Sequence, residues 1–186
     1  DGTFRVSAQG GYIAAERHRD LYRGAMFPKT PNMMSAAEVI RQKPAWAECL
    51  GLKDSDRARA ILSALHAGEQ EEIRLRARMM AAVDEGIGAI LDALERQGKL
   101  DDTFIVFLGD NGYFFGEHAL GPERRFAYEE GIRSPFVVRY PGKVRAGTRR
   151  RELVICQDIA PTLIELAGGK PGPQIQGRSL LPLFIG

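Results

Sequence analysis

An acidic and an amide side chain stand next to each other at Asp110 and Asn111. Carboxylate and amide oxygens are hard ligands, which suit calcium or magnesium better than zinc. The glycines on either side, Gly109 and Gly112, allow the backbone to turn tightly around this pair. Because Asp-Asn-Gly is also common in ordinary turns, these residues alone leave both a metal site and a plain turn open.

The residues after this pair are rich in groups that bind anions or exchange protons. Aromatic residues come first, followed by a histidine, an arginine pair and two glutamates, as Tyr113-Phe114-Phe115, Gly116-Glu117-His118, Arg124-Arg125 and Tyr128-Glu129-Glu130. Binding and catalysis concentrate in loops that a rigid scaffold holds in place. We therefore predict a functional loop over this segment.

Two strand patterns flank the predicted loop. Residues 103–108 and 135–140 are continuous apolar and β-branched runs. A strand that is apolar on both faces belongs in the middle of a sheet that helices cover on both sides. Ligands of such sheets bind beyond the carboxyl ends of the strands, which is where Asp110 stands.

The helix patterns complete this arrangement. The longest covers residues 70–97, where apolar residues recur at helical spacing and Gly98 ends the run. A short helix is predicted over 35–41, because its first residue is a serine and a glutamate follows at capping-box spacing. Residues 55–66 predict a further helix.

The last part of the chain continues the alternation of strand and helix. A third, weaker strand is predicted over 152–155, followed by a helix over 159–167 with Asp158 as its N-cap and Gly168-Gly169 as its end. Helices and apolar strands in this order are typical of the α/β class. We predict one domain over residues 1–186, irregular over 1–54, with the helices, the strands and the loop that contains Asp110 over 55–186.

The composition excludes several classes of protein. A net charge of +2 gives no reason to expect a nucleic-acid partner. No apolar run approaches the roughly 20 residues that span a membrane, and the first residues do not have the pattern of a signal peptide. Cys49 and Cys156 lack metal-ligand spacing, so both are expected to be small buried residues. The three arginines of 149–151 are expected on a solvated loop.

The ordered motifs of this chain resemble the sulfatase family of the alkaline-phosphatase-like superfamily. The similarity runs from about residue 12 to the end and includes residues 15–22, 82–88, 109–112, 116–118, 124–125, 128–130, 132–133, 135, 140–142, 158–163 and 176–182. The resemblance implies a three-layer α/β/α sandwich of the alkaline-phosphatase-like type, of which this chain is an incomplete part. It also implies hydrolysis of a sulfate ester on a small molecule or a glycan.

The resemblance assigns roles to the loop. Asp110 and Asn111 would be two ligands of a calcium or magnesium ion that holds the sulfate group. Arg124 stands where the family normally has a lysine, and it would bind the sulfate. His118 belongs to a motif near the mouth of the pocket, either as a substrate contact or as a structural hydrogen-bonding residue.

Other parts of the family pattern have no counterpart here. Family members use a formylglycine made from the cysteine or serine of a Cys/Ser-x-Pro-x-Arg motif. Neither Cys49 nor Cys156 stands in such a motif, so no catalytic residue is assigned. Gln9 stands where a catalytic histidine is expected and Val6 stands near the place of a lysine. The family's early aspartate pair is also unmatched, because Asp101-Asp102 precedes a strand instead of following one.

Three functions therefore remain open. The first is a sulfuric ester hydrolase whose activity needs more than this chain, the second is a non-catalytic sulfatase-like binding protein, and the third is a phosphodiesterase or phosphonate hydrolase of the same superfamily. The resemblance also implies that further strands belong to the sheet, so this chain is expected to associate through an open sheet edge. Family members are typically periplasmic, secreted or lysosomal.

Overall fold

The computed structural model describes residues 13–49, 70–120, 124 and 126–185. The predicted helix over 55–66 and the positions Val6 and Gln9 lie outside these residues. The elements are α1 (Ala36–Gln42), α2 (Pro44–Cys49), α3 (Gln70–Arg96), β1 (Ile105–Leu108), α4 (Glu129–Ile132), β2 (Phe136–Arg139), α5 (Ile159–Leu166) and α6 (Leu181–Ile185). Single turns of 3-10 helix occur at Glu16–His18, Glu117–Ala119 and Cys156–Asp158.

The first short helix begins as the sequence predicts. The Ser35 hydroxyl accepts a hydrogen bond from the Glu38 backbone N–H at 3.3 Å, and the Glu38 carboxylate accepts from the Ser35 N–H at 2.7 Å. This reciprocal capping box is confirmed. The sequence pattern does not predict α2. Its first residue, Pro44, suits a helix start, because a backbone N–H at that position has no partner within the helix.

The long helix α3 also matches its prediction. It covers Gln70–Arg96, and Gly98 ends it in the left-handed region at φ +63. Its apolar residues remain accessible, with Met80 50%, Val83 46% and Ile90 62% exposed. The apolar face therefore exists, but the described residues leave much of it uncovered.

The chain divides into two compact units. The described residues of 1–90 and 111–133 form one, which we call the loop unit. Leu91–Asp110 and Ser134–Gly186 form the other, which we call the sheet unit.

The sheet unit contains the two predicted strands. β1 and β2 pair antiparallel, with Ile105 opposite Arg139 and Leu108 opposite Phe136. The prediction that β1 lies deep inside a covered sheet is wrong for the described residues, because Leu108 is 37% exposed and Val137 on β2 is 59% exposed. Each strand has one partner in the described sheet, so the other side of each stays open.

The third predicted strand does not form. Residues 152–155 have no strand conformation, and Leu153 is 95% exposed. A short apolar segment becomes a strand only where a neighbour completes its hydrogen bonds, and no described strand pairs with this one. The expectation of a buried Cys156 is also wrong, because this residue is exposed with a free thiol.

The helix α5 begins at Ile159 after Asp158 and ends before Gly168, as predicted, but the Asp158 side chain makes no capping hydrogen bond. Gly168 takes φ +81 and Gly169 donates to the Ile164 carbonyl at 2.9 Å, which is a common helix ending. The Asp158 carboxylate instead accepts from the backbone N–H groups of Ile155 at 3.0 Å and Arg178 at 2.8 Å. Asp158 therefore fixes the C-terminal segment beside α5.

A buried hydroxyl makes the same connection. Thr162 is 2% exposed, and its Oγ1 accepts from the Leu180 N–H at 2.8 Å. Leu180 is itself 4% exposed, so this bond anchors the segment that leads into α6. In the part of the chain that the structure describes, no helix is both long and apolar enough to cross a membrane.

Candidate functional site

The two predicted metal ligands follow β1 directly. The Gly109 N–H donates to the Pro135 carbonyl at 3.1 Å, which continues the strand pairing to the residue before Asp110. Asp110 is exposed at the end of the sheet unit, and Asn111 is half-buried at the start of the loop unit's second segment. The Asn111 Nδ2 donates to the Gly112 carbonyl at 2.6 Å, so this amide turns its nitrogen toward the backbone.

Gly112 is required by a close backbone contact. A Cβ at this position would lie 2.0 Å from the Glu130 carbonyl oxygen and 2.4 Å from that of Arg133. The Gly112 N–H donates to the Gly131 carbonyl at 2.9 Å. Gly131 is equally confined, since its Cβ would lie 2.3 Å from the Phe126 carbonyl oxygen. The start of the loop and α4 are therefore held backbone against backbone.

Aromatic residues anchor the next part of the loop. Phe114 is fully buried, while the Tyr113 and Phe115 rings lie 5.3 Å apart between centroids. The Arg76 guanidinium, which α3 provides, lies 3.5 Å from the Tyr113 centroid and 5.4 Å from that of Phe115. These distances are typical of cation–π contacts, which couple α3 to the loop.

The electrostatics of Arg76 connect it to the predicted sulfate-binding residue. Burial lowers the pKa of the Arg76 guanidinium, the neighbouring Tyr113 works in the opposite direction, and the positive charge of Arg124 lowers it further. Arg124 itself is exposed. Sequence reasoning missed Arg76, because an arginine within an amphipathic helix gives no sign of its tertiary partner.

His118 lies in a cluster of polar side chains. Its Nδ1 is 2.8 Å from Lys43 Nζ, and its Nε2 is 3.1 Å from Glu130 Oε2. An ammonium group can only donate, so Nδ1 accepts from Lys43 and the ring hydrogen is on Nε2, which donates to Glu130. The ring also stacks on Tyr128 at 4.0 Å between centroids.

The backbone of His118 supports the same placement. It adopts φ +57, which is rare for a residue with a side chain, and its N–H donates to the Asn32 carbonyl at 2.7 Å. The side chain is 12% exposed. Of the two roles left open for His118, the geometry favours the structural hydrogen-bonding residue, while the substrate contact stays a prediction.

Glu130 completes the cluster. The Asn32 side-chain amide donates to its second carboxylate oxygen. Burial works to raise the pKa of Glu130, but its backbone hydrogen bond and the His118 and Asn32 hydrogen bonds outweigh burial and hold this pKa below its ordinary value. Lys43 and Asn32 lie far from the loop in sequence, so no local motif identified them.

Two further motifs of the sequence contact each other. The His18 Nε2 lies 3.0 Å from Glu85 Oε1, and the Arg17 Nε donates to Glu85 Oε2 at 2.7 Å. The Arg17 guanidinium lowers the pKa of Glu85 through its hydrogen bond, and His18 adds to this effect. These contacts join the segment before α1 to α3 and help to stabilise the loop unit.

The ligand chemistry fits a hard cation in part. Asp110 supplies a carboxylate and Asn111 an amide oxygen, which are donors that calcium and magnesium prefer. Among the residues that the structure describes, no group of three or more histidine, cysteine, aspartate and glutamate side chains could enclose a metal ion. Calcium takes six to eight oxygens, so this pair can be only part of a ligand shell.

Solved structures establish the fold class. The structure of BT4656 in complex with its substrate, D-glucosamine-2-N,6-O-disulfate, superposes on this chain with a TM-score of 0.72 at 27% identity. The match covers 95% of this chain and 45% of that chain. A phosphonate monoester hydrolase from Silicibacter pomeroyi superposes with a TM-score of 0.74 at 21% identity, over 94% of this chain and 35% of that chain. The predicted alkaline-phosphatase-like α/β class is thereby confirmed.

Sequence relatives narrow the class to a family. The sulfatase family model matches residues 18–169. An N-acetylglucosamine-6-O-sulfatase of Bacteroides thetaiotaomicron is 41% identical over 115 residues, which are 62% of this chain and 20% of that protein. An arylsulfatase of Volvox carteri is 33% identical over 173 residues, which are 90% of this chain and 25% of that protein. The chain belongs to the sulfatase family.

The extent of these matches matters for function. The chain spans a fifth to a quarter of the length of these two curated relatives. Members of the family typically use a metal ion and a formylglycine. The 186 residues of this chain contain neither a Cys-x-Pro-x-Arg nor a Ser-x-Pro-x-Arg sequence.

Proposed function

We propose that this chain forms the metal- and sulfate-binding part of a sulfuric ester hydrolase. The observation that carries the proposal is the Asp110-Asn111-Gly112 sequence directly after β1, with Gly112 locked against α4 by its close backbone contact. Asp110 and Asn111 are consecutive in the chain and supply two oxygen ligands. Its place after a strand is where α/β sheets bind ligands.

Asp110 and Asn111 are proposed as two ligands of a calcium ion, with magnesium as the alternative. A bound divalent cation supplies positive charge that neutralises the sulfate oxygens. Arg124 is proposed to bind a sulfate oxygen, since a guanidinium can hold an oxyanion through two hydrogen bonds. It cannot act as a proton donor in the way that a lysine can.

His118 is proposed to act near the substrate chiefly by holding its loop. Its two ring nitrogens bind Lys43 and Glu130, and these contacts hold the part of the loop around His118 in place. A direct substrate contact by His118 remains the second possibility for this residue. The sulfated group is proposed to belong to a glycan or a small molecule, in keeping with the substrate of the solved complex at 27% identity.

No residue of this chain is proposed as the nucleophile. Covalent catalysis requires an activated nucleophilic group, and the family's motif for it does not occur in the sequence. The isolated chain is therefore proposed to bind without turning over its ligand. The absent motif and Arg124 in place of lysine also favour a second candidate, a sulfatase-like protein that binds an anion without catalysis.

The test measures calcium binding to the chain by isothermal titration calorimetry. We expect weak binding, roughly millimolar, because two protein ligands leave most positions to water. The double variant Asp110→Ala with Asn111→Ala should lower the affinity at least about tenfold, since ligand charge sets calcium affinity. The matched control is Asp84→Ala, which removes an exposed carboxylate from α3.

Two results would contradict the proposal. Equal calcium affinity of the double variant and the unchanged chain would remove the metal role of the pair. Hydrolysis of 4-nitrocatechol sulfate by the isolated chain, above a denatured control, would show that a nucleophile exists where none is assigned.

A further inference from the structure

The sheet unit carries a concentrated positive charge in one loop. Residues 141–152, which we call the basic loop, contain five lysines and arginines and one glutamate, whereas the whole chain has a net charge of +2. The rest of the chain is therefore net negative. A charge of this density on twelve residues is a strong local attraction for anions.

Two arginines of the basic loop, Arg145 and Arg149, are exposed to solvent. No carboxylate pairs with either of them among the described residues. The Glu152 carboxylate accepts from the Arg151 backbone N–H at 2.9 Å, so it is used within the loop. Arg150 donates through Nε to the Leu183 carbonyl at 2.8 Å, which ties the loop to α6.

A groove lies between the basic loop, β2 and α6. Its volume is about 960 Å³, within the range of small-molecule and oligosaccharide sites. Its floor is apolar and half-buried, formed by Phe136, Val138, Tyr140, Leu183 and Phe184. The centroid of the Phe104 ring lies 5.8 Å from that of Tyr140 and 5.8 Å from that of Phe184. These ring contacts give the floor a defined shape.

The chemistry of the groove selects its ligand. Four arginines and one glutamate are the charged residues of its lining in the described part of the chain, and one of these arginines, Arg139, pairs with Asp101 at 2.6 Å. Guanidinium groups match the geometry of sulfate and carboxylate groups. An apolar and aromatic floor suits the C–H faces of sugar rings, which alternate with those anionic groups along a sulfated glycan.

We infer that this groove binds an anionic stretch of a sulfated glycan chain, as a second site besides the group that is hydrolysed. This inference rests on the proposed function for the choice of a glycan. The metal ligands proposed above do not line the groove, because its lining comes from 136–154 and 180–184. The two sites can therefore be tested separately.

The experiment titrates the full chain with a heparin-derived octasaccharide. The double variant Arg145→Gln with Arg149→Gln should lower the affinity by about tenfold or more, since hydrogen bonds to charged groups are among the stronger ones. The matched control, Arg41→Gln with Arg96→Gln, removes two exposed arginines elsewhere and should change the affinity by less than about twofold. Circular dichroism confirms that both variants are folded.

Three results would overturn the inference. One is an equal loss of affinity in the control variant, which would mean that only net charge matters. The others are equal binding of a desulfated octasaccharide, or of a DNA oligonucleotide with the same number of charges.

Failure of the proposed function gives a different pattern. Titration of the octasaccharide in a calcium-free buffer isolates the groove from the proposed metal site. Absent calcium binding with an intact response to Arg145 and Arg149 would therefore contradict the metal role alone. Absent octasaccharide binding with normal calcium binding would contradict the groove alone.

Discussion

The segment 112–120 of the loop unit and the strands of the sheet unit differ in how far their apolar residues are buried. In the loop unit, Phe114 and Leu120 are at most 1% exposed, and the buried Glu117 carboxylate accepts from the Phe115 N–H at 2.6 Å. In the sheet unit, Val137 is 59% and Leu153 95% exposed. The irregular segment 112–120 thus buries its apolar anchors, while β2 and the segment 152–155 leave apolar surface open. Regular secondary structure therefore does not indicate how far the apolar residues of a region are buried.

The reason lies in where each region finds its contacts. The loop unit uses polar side chains and close backbone approaches, such as Lys43 to His118 and Gly112 to Gly131, which its own segments supply. A sheet gains stability from neighbouring strands and covering helices. β1 and β2 have only each other among the described residues. The difference predicts large effects of mutations in the loop unit and small ones on the open face.

The largest effect is expected at Gly112. The variant Gly112→Ala would place a Cβ 2.0 Å from the Glu130 carbonyl oxygen, so the loop must move and the free energy of unfolding should fall by about 3 kcal/mol or more. The matched control is Gly86→Ala on α3, where a Cβ meets nothing within 4 Å. This control should raise stability by roughly 0.5–1 kcal/mol. Urea denaturation checks both, and a Gly112→Ala loss as small as ordinary surface changes would refute the tight contact.

An intermediate effect on stability is expected from the substitution Glu130→Gln and from acidic pH. Its pKa is lower in the folded chain than the ordinary value of 4.5, so Glu130 contributes stability above that pH. This contribution is lost as the pH falls below 4.5 through the folded pKa. Glu130→Gln should cost about 1 kcal/mol at neutral pH and flatten the acid dependence.

Glu129→Gln is the control for this prediction. Glu129 is the next residue on α4, with its side chain 70% exposed and a single ion pair to Arg133 at 3.4 Å. Exposed pairs of this kind contribute little, so this variant should keep the acid dependence of the unchanged chain. Thermal unfolding from pH 3 to pH 7 distinguishes the two. Identical pH profiles for both variants would contradict the polar cluster around Glu130.

The smallest effect on stability is expected at Leu153. Because Leu153 is 95% exposed, Leu153→Lys should change the free energy of unfolding by less than about 0.5 kcal/mol. It should nevertheless reduce self-association, since exposed apolar segments and open strand edges promote it. Sedimentation velocity measures this change. Gln157→Lys adds the same charge at an exposed polar position and should leave association unaltered.

Local features were predictable from the sequence because they depend on neighbours along the chain. The capping box of Ser35 and Glu38, the end of α3 at Gly98 and both strands of the sheet follow from residue type and spacing. The fold class followed from the ordered family motifs. The third strand failed because a strand is completed by a partner that no local pattern reveals.

The surroundings of the candidate site were less predictable. Arg76, Lys43 and Asn32 reach the loop from remote segments, and a sequence pattern gives no tertiary distances. His118 was identified from its motif, but its two hydrogen-bond partners decide which role the geometry favours. Metal binding by Asp110 and Asn111 stays a prediction.

The contact between Gly112 and the 130–133 turn also constrains how this sequence can change over generations. The Glu130 carbonyl oxygen lies where a side chain at position 112 would begin. A descendant can therefore acquire a side chain at 112 only after its lineage has shifted that turn. The two changes therefore have a fixed order. In a lineage that carries both, the change in the 130–133 turn should come before the substitution at position 112.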